Sequence, residues 1–359
     1  MSPLRRILIG FPLCAAAVAF SMPAAPQAEP DQSPLPSSQG VAAPAEISGF
    51  QSYLQLVAAK ARGQGVSQLA IDSVLGGLSY NPRVVALDRA QPGSNTGTPP
   101  PFSAYYDRHI GATRINGGRS ALADNLALIR QMEAQYGVPA QMIVAIWGKE
   151  TFYGRIKGDF DLARSLATLA YEGRRRNLFE GELIALMKMI DRGVPRSRLL
   201  GSWAGAFGNP QFLPSVYLRV ARDGDGAGDT DIWNDRADTF ASIANYFRDA
   251  GWRPGEPWGV RAAVGPELDR SGLATRLESP ACPRVHARHS TWKTVGEWRR
   301  LGVVPLAPIG DETQATLFEP DGRGKGAFLL TGNYRVILHY NCSNYYALSV
   351  GLLADEISR

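Results

Sequence analysis

The sequence predicts a mainly α-helical (α+β) fold with short β elements near its C-terminus. Apolar residues recur at helical three-and-four spacing in one segment after another, and glycine or proline stops several of those segments. Alternating β-branched runs are scarce before residue 325.

The elements follow in chain order. "MSPLRRILIGFPLCAAAVAF" places Arg5 and Arg6 before an apolar stretch and small residues, the three-part pattern of a secretory signal peptide over residues 1–21. The stretch is too short for a membrane span. A lipid anchor at Cys14 is the alternative, but Leu13 stands before it where a small residue would be expected. Residues 22–46 are rich in Pro, Ala, Ser and Gln and read as a disordered tether. Order is expected from Ile47 onward, with "FQSYLQLVAAKARGQG" as the first helix, and "QPGSNTGTPPP" (91–101) as a flexible surface break. A helix is predicted to begin at Ser120 and stop at "YGVP", with Pro139 opening the next one. "LFEGELIALMKMIDRG" (178–193) and "ADTFASIANYFRDAGW" (237–252) read as amphipathic helices. "AFLLTGNYRVILHYN" reads as two short strands around "TGN", and no repeat of fixed period is present.

With 359 residues, 45% hydrophobic and 20% charged, the composition suits one large globular domain or two small ones. Loss of Arg5 and Arg6 with a signal peptide would reduce the formal charge from +5 to about +3. That modest excess suits an anionic polymer and supports no nucleic-acid partner. Cys282 and Cys342 would remain; in an exported chain they allow one disulfide, the alternative being two buried thiols.

Three stretches carry candidate chemistry. In "MIVAIWGKETFYG" (142–154), Ile143, Ile146, Trp147 and Glu150 share one helical stripe, which turns Glu150 inward. Burial disfavours a charged carboxylate, and a protonated acid beside a cleft is what a departing glycosidic oxygen needs. The structural alternative is a helix-end glutamate paired with Lys149 or Arg155. "GSWAGAFGNPQFLPSVY" (201–217) interleaves glycine and alanine with Trp203, Phe207, Gln211 and Phe212. Small residues permit close backbone approach and aromatic faces stack on sugars, although tight helix packing explains the same pattern. "DGDGAGDTDIWNDRAD" (223–238) imitates a calcium loop, with acids at positions 1, 3, 7 and 9 and Gly228 at position 6. Ala227 and Asn234 depart from that pattern, Asp238 offers a replacement carboxylate, and the alternative is a solvated acidic turn.

Taken in order, "AIWGKETFYG", "GSWAGAFGNPQFLPSVY", "DGDGAGDTDIWNDRADTFASIANYFRDAGWRPGEPWG" and "YRVILHYNCSNYYALSVGLLADEI" resemble the membrane-bound lytic transglycosylase B family of bacterial murein lyases. The resemblance runs from about Phe50 to about Ile357. It implies a lysozyme-like helical catalytic core over 47–359 that cuts between N-acetylmuramic acid and N-acetylglucosamine without water, leaving 1,6-anhydro ends. Glu150 matches the family's catalytic acid. Ser202, Gln211, Tyr246, Tyr340, Asn341 and Tyr346 match its saccharide-groove positions, and Asp223, Asp225, Asp229 and Asp238 its calcium-type loop. Asn209-Pro210 stands where relatives commonly have other residues, so groove shape is expected to differ. The implied partner is the peptidoglycan strand, the implied compartment the periplasm, and no cofactor is required, a structural calcium ion being only a candidate ligand of the acidic loop. No wall-binding domain is expected after the last motif. A hydrolytic muramidase or chitinase-like enzyme and a non-catalytic murein-binding scaffold are the rival readings. No second acid lies near Glu150 in a motif-like setting, which is awkward for hydrolysis and natural for a lyase.

Overall fold

The computed structural model describes residues 44–91, 100–275, 279 and 281–359. The signal-peptide stretch with Cys14, nearly all of the tether and most of the 91–101 break lie outside the described residues. The described chain divides into two compact units: a helical one (44–91, 112–249 and 357–359) and a sheet-containing one (100–111 and 250–356).

The helical unit opens with α1 (Pro44–Gly63), α2 (Gln68–Leu75) and α3 (Pro82–Arg89), so helix begins three residues ahead of Ile47. After α4 (Phe102–His109), which belongs to the other unit, come α5 (Ala112–Asp124), α6 (Leu126–Tyr136) and α7 (Ala140–Thr151). A short strand β1 (Phe160–Asp161) leads into α8 (Leu162–Glu172) and α9 (Arg176–Asp191). It pairs antiparallel with β2 (Leu200–Gly201), and α10 (Pro214–Val220) and α11 (Arg236–Asp249) complete the unit.

Packing in this unit centres on α7. Every residue from Met142 to Gly148 is buried, so the helix is enclosed on all sides rather than along the single stripe read from its sequence. Helices α5, α6 and α11 pack around it. The expected helix start at Ser120 is corrected: Ser120 lies inside α5, and a break at Asn125 separates α5 from α6. Asn125 bonds back to Ala121 O through its Nδ2 (2.7 Å), and such side-chain competition for backbone groups interrupts helices. The stop at "YGVP" is observed, with Gly137 left-handed (φ 71°) and Pro139 at the cap of α7. The predicted helices at 178–193 and 237–252 correspond to α9 and α11.

Glycine is required where Tyr153 folds back onto α7. A Cβ on Gly148 would lie 2.5 Å from the Tyr153 ring, and one on Gly117 of α5 would lie 2.9 Å from it. The ring therefore wedges between two helix backbones, and its hydroxyl donates to Arg114 O (2.6 Å).

The sheet unit contains β3 (Gly259–Val264), α12 (Pro283–His286), β4 (Trp292–Thr294) and α13 (Val295–Arg300). It continues with β5 (Val303–Pro305), β6 (Gln314–Phe318), β7 (Ala327–Leu330), α14 (Gly332–Tyr340) and α15 (Asn344–Ile357). The five strands form one antiparallel sheet in the order β4-β6-β7-β3-β5. One face packs Val260, Ala262, Ala315, Leu317 and Leu329 with Val295 and Trp298 of α13. The other face carries Phe318 and Phe328 toward Trp258, His289 and Tyr334.

Two expectations are corrected here. Four of the five strands precede residue 325, where strands were not expected, because three-residue strands and the alanines of "GVRAAV" give almost no alternation signal. "TGN" is a helix start rather than a hairpin turn: Thr331 Oγ1 accepts from Asn333 N (3.2 Å) and caps α14. Asn333 is fully buried, donating to Arg253 O (2.9 Å) and Glu256 O (2.6 Å) and accepting from Arg253 N (2.8 Å).

Of the alternatives open for the cysteines, the structure has the disulfide. Cys282 and Cys342 are joined, with Cα atoms 5.3 Å apart and a sequence separation of 60. Closing a loop of that length stabilises the folded chain by about 4 kcal/mol on the loop-entropy account.

Candidate active site

Glu150 is the next-to-last residue of α7 and is half-buried: the helix turns it toward the protein without sealing it from solvent. Its helix ends in two consecutive left-handed residues, Phe152 (φ 52°) and Tyr153 (φ 60°), conformations that are costly for aromatic side chains and persist only where neighbours enforce them. The enforcement is visible. Phe152 N donates to Gly148 O (3.2 Å), Tyr153 N to Trp147 O (3.3 Å), and Arg114 Nη1 to Gly148 O (3.0 Å). The guanidinia of Arg114 and Arg155 lie 5.0 and 5.4 Å from the Phe152 ring centroid.

The charge around Glu150 is unusual. Lys149 is half-buried as a residue, yet burial of its ammonium, reinforced by the Arg114 charge, draws it down to about 7. Glu150 opposes that fall. Near neutral pH the adjacent lysine is therefore only partly charged, a weaker counter-charge to the Glu150 carboxylate than an ordinary lysine. Tyr246 of α11 is buried, and burial first, then the Glu150 charge, push its phenol upward against the opposing effect of Arg219. It stays protonated, a neutral hydrogen-bonding group within the field of Glu150. Its ring stacks on Phe212 at 5.7 Å.

The glycine-rich stretch is fastened to α7 by Asn209, which is only 4% exposed. Its Oδ1 accepts from Trp147 Nε1 (3.0 Å), and its Nδ2 donates to Trp233 O (3.2 Å) and Thr239 Oγ1 (3.1 Å). Its backbone N donates to Ile232 O (2.8 Å), and its carbonyl accepts from Thr151 Oγ1 (3.1 Å). One amide thus joins α7, the acidic loop and α11. Two residues on, Gln211 is left-handed (φ 51°), and its Nε2 donates to Gly208 O (2.9 Å) and Lys157 O (3.2 Å). In this orientation Oε1 is the acceptor left for a ligand. Ser202 is half-buried and turns the start of the loop, its Oγ accepting from Ala206 N (3.0 Å).

Tyr340, Asn341 and Tyr346 lie together at the α14–α15 junction of the sheet unit. Asn341 Oδ1 is buried and without a hydrogen-bond partner among the described residues, a group that calls for a donor. Glu150, Ser202, Gln211 and Tyr246 are gathered in the helical unit.

In the acidic loop, carboxylate oxygens of Asp223, Asp225 and Asp238 all lie within 4.8 Å of one another. Backbone N–H groups of Gly228 and Gly226 hold the Asp223 carboxyl below the usual range. Asp238 is buried and accepts from Gly224 N (2.7 Å) and Asp231 N (2.5 Å); burial raises it more than these bonds lower it. Asp229 is turned toward Arg198 (3.7 Å), which also pairs with Asp231 (3.2 Å). Three hard carboxylates at this spacing fit a divalent cation, with fewer donors than a full calcium loop because Ala227 has none and Asn234 Nδ2 bonds Asp231 (3.3 Å).

Residues 49–355 match the family model described as the transglycosylase SLT domain. The chain belongs to that family. It is 34% identical over 226 residues to the membrane-bound lytic murein transglycosylase B of Escherichia coli, a match that covers 62% of this chain and 58% of that protein's own length. SltB3 from Pseudomonas aeruginosa, solved in complex with NAG-anhNAM-pentapeptide, aligns with a TM-score of 0.77 at 36% identity, over 86% of this chain and 79% of that one. The Escherichia coli lytic transglycosylase Slt35, solved in complex with calcium, aligns with a TM-score of 0.69 at 28% identity, over 87% and 93%. The mainly helical, lysozyme-like fold expected from the sequence is therefore the fold of this SLT family member. The sequence offered Asn209 only as a change in groove shape and Lys149 only as an ion-pair partner for Glu150, so the bonds of Asn209 to α7 and the lowered Lys149 were missed. An asparagine between a glycine and a proline, inside an otherwise apolar stretch, is the signal that pointed to the first.

Proposed function

We propose that this protein is a peptidoglycan lytic transglycosylase that cleaves the β-1,4 bond between N-acetylmuramic acid and N-acetylglucosamine. Glu150 gives its proton to the departing glycosidic oxygen, and the 2-acetamido group steadies the positive charge developing at C1. Glu150, now a carboxylate, takes the proton of the muramic acid C6 hydroxyl as that oxygen closes on C1. The product is a 1,6-anhydro ring, no water is consumed, and one carboxyl serves as acid and then as base. We assign Ser202, Gln211 and Tyr246 to saccharide binding in the helical unit, and Tyr340, Asn341 and Tyr346 to saccharide binding in the sheet unit. Asn341 Oδ1 has the acceptor that an acetamido N–H requires.

The observation that carries this reading is the setting of Glu150. It lies in the last turn of a helix buried throughout from Met142 to Gly148, and shares its electrostatic field with a buried neutral phenol and a lysine near 7. The anhydro sugar bound by SltB3 of Pseudomonas aeruginosa supports the same product here. Digestion of purified murein is expected to give muropeptides ending in anhydromuramic acid, 18 Da lighter than reducing ends (about one water, as the ring closure demands). Reducing ends would make the protein a hydrolase, and intact murein that is still pulled down would make it a scaffold.

Calcium is proposed as a weakly held structural ion on Asp223, Asp225 and Asp238, with a Kd on the order of 1 mM as in extracellular modules. The complex of Slt35 with calcium supports the assignment. At 5 mM Ca2+ (roughly five times such a Kd), unfolding is expected to cost about 1 kcal/mol more than in EDTA. Asp223→Ala should abolish that difference, and an equal response in this variant removes the site. We also assign residues 1–21 to export into the periplasm, the residues between them and α1 to a tether, and 44–359 to catalysis. Among the described residues no helix is long and apolar enough to cross a membrane.

A further inference from the structure

Arg335, on α14, faces the edge strand β4, and its guanidinium lies 5.1 Å from the centroid of the Trp292 ring. Trp292 pairs with Thr316 and so shares the α14-facing side of the sheet, while its neighbour Lys293, paired with Ala315, points to the opposite side. Both Trp292 and Arg335 are half-buried.

The arrangement leaves a cation without an anion. Among the described residues the Arg335 guanidinium has the Trp292 ring and no carboxylate or hydrogen-bond acceptor. Burial draws it down to about 10, and no negative group opposes the fall. Arg270, in the same unit and less shielded, is nevertheless paired: its fork is closed by both oxygens of Glu319 at 2.9 and 3.0 Å. A shielded guanidinium without a counter-charge is unfavourable, and because its nitrogens are not sealed from solvent an anion can reach them. Stacking on indole occupies only the flat face of the guanidinium. The N–H donors at its rim remain in plane, spaced to meet two oxygens of one carboxylate.

We propose that Arg335, backed by Trp292, is an accessory anion site that binds a carboxylate of the murein stem peptide. This rests on the lyase reading for its choice of ligand, because in a peptide-bearing strand the muramic lactyl carboxyl is tied up in the amide to the peptide, and the peptide supplies the free carboxylates. Arg335 grips the peptide of a strand and takes no part in the chemistry at Glu150.

The test uses the full chain and five probes: the disaccharide-pentapeptide, the peptide-free disaccharide with its lactyl carboxyl amidated, the free pentapeptide, the pentapeptide with every carboxyl amidated, and the pentapeptide amidated at its C-terminus alone. Titration calorimetry is expected to show Arg335→Gln weakening both peptide acids roughly tenfold, the size of a charged hydrogen-bond pair. Affinity for the peptide-free disaccharide should be unchanged, which also shows that the variant is folded. Arg335→Lys, with charge but no fork, should fall between, and amidated peptide should bind wild type as weakly as acid binds Arg335→Gln. Amidation of the C-terminus alone separates the two carboxylate sources: lost binding assigns the terminal group, retained binding a side-chain group. Equal binding of acid and amidated peptide by wild type, or no effect of Arg335→Gln, overturns the site. Wild type that cuts peptide-free glycan under those results leaves the lyase reading intact. Wild type that binds pentapeptide through Arg335 but leaves murein uncut overturns the lyase reading alone.

Discussion

Glu150→Gln is expected to lower the turnover of murein by about 10³- to 10⁴-fold while leaving the binding of unreacted glycan within about threefold of wild type. Glutamine has nearly the volume and shape of glutamic acid and can still donate a hydrogen bond to a glycosidic oxygen. It cannot release a proton, and it cannot take one from the C6 hydroxyl, so both halves of the proposed reaction fail together. Half-burial at the end of α7 means that the exchange removes no deep packing, and the thermal midpoint should stay close to that of wild type. The measurement is anhydromuropeptide release, quantified by mass spectrometry, beside calorimetric binding of an intact fragment. Activity that survives the substitution would move the chemistry to another group.

How much of this was legible beforehand differs between the two units. In the helical unit the periodic signal was strong, and α9, α11 and the stop between α6 and α7 were readable because apolar spacing and turn residues agreed. The break at Asn125 was not, since it turns on one side chain competing for one carbonyl rather than on composition. In the sheet unit the strands are three to six residues long, and several are rich in small side chains, so pairing across the sheet determines them more than local propensity does. The "TGN" segment misled for a related reason: a threonine cap and a turn present the same letters, and only the buried Asn333 contacts with Arg253 and Glu256 decide between them.

The candidate site shows the same division. The sequence motifs offered Glu150 and Gln211 as candidates, and the family resemblance offered Tyr246. The lowered Lys149, the unmatched Arg335 and the contacts of Asn209 all depend on residues remote in sequence, and no window of the chain displays them.

Asn209→Leu is expected to lower stability by about 3 kcal/mol and, in molecules that remain folded, to lower kcat at least tenfold with little change in KM. Leucine matches asparagine in size but pairs with nothing. The substitution orphans Trp147 Nε1 in a site closed to water. It takes one partner each from the Trp233 carbonyl, which keeps Lys157 Nζ (2.6 Å), and from Thr239 Oγ1, which keeps Asp235 O (2.6 Å). An orphaned buried group costs about 1–3 kcal/mol, the two lost bonds add to it, and relaxation recovers part of the sum. The kinetic effect has a separate origin. Trp147 lies three residues before Glu150 and Thr151 one after it, and Asn209 holds both, one through Oδ1 and the other through its backbone carbonyl. Releasing Trp147 loosens the last turn of α7, just where two left-handed residues must be held in place, and a proton donor displaced by 1 Å loses about a hundredfold. Assays well below the unfolding midpoint keep the two effects apart. A variant that melts early yet turns over at the wild-type rate when folded would make Asn209 a stabilising residue with no part in positioning the acid.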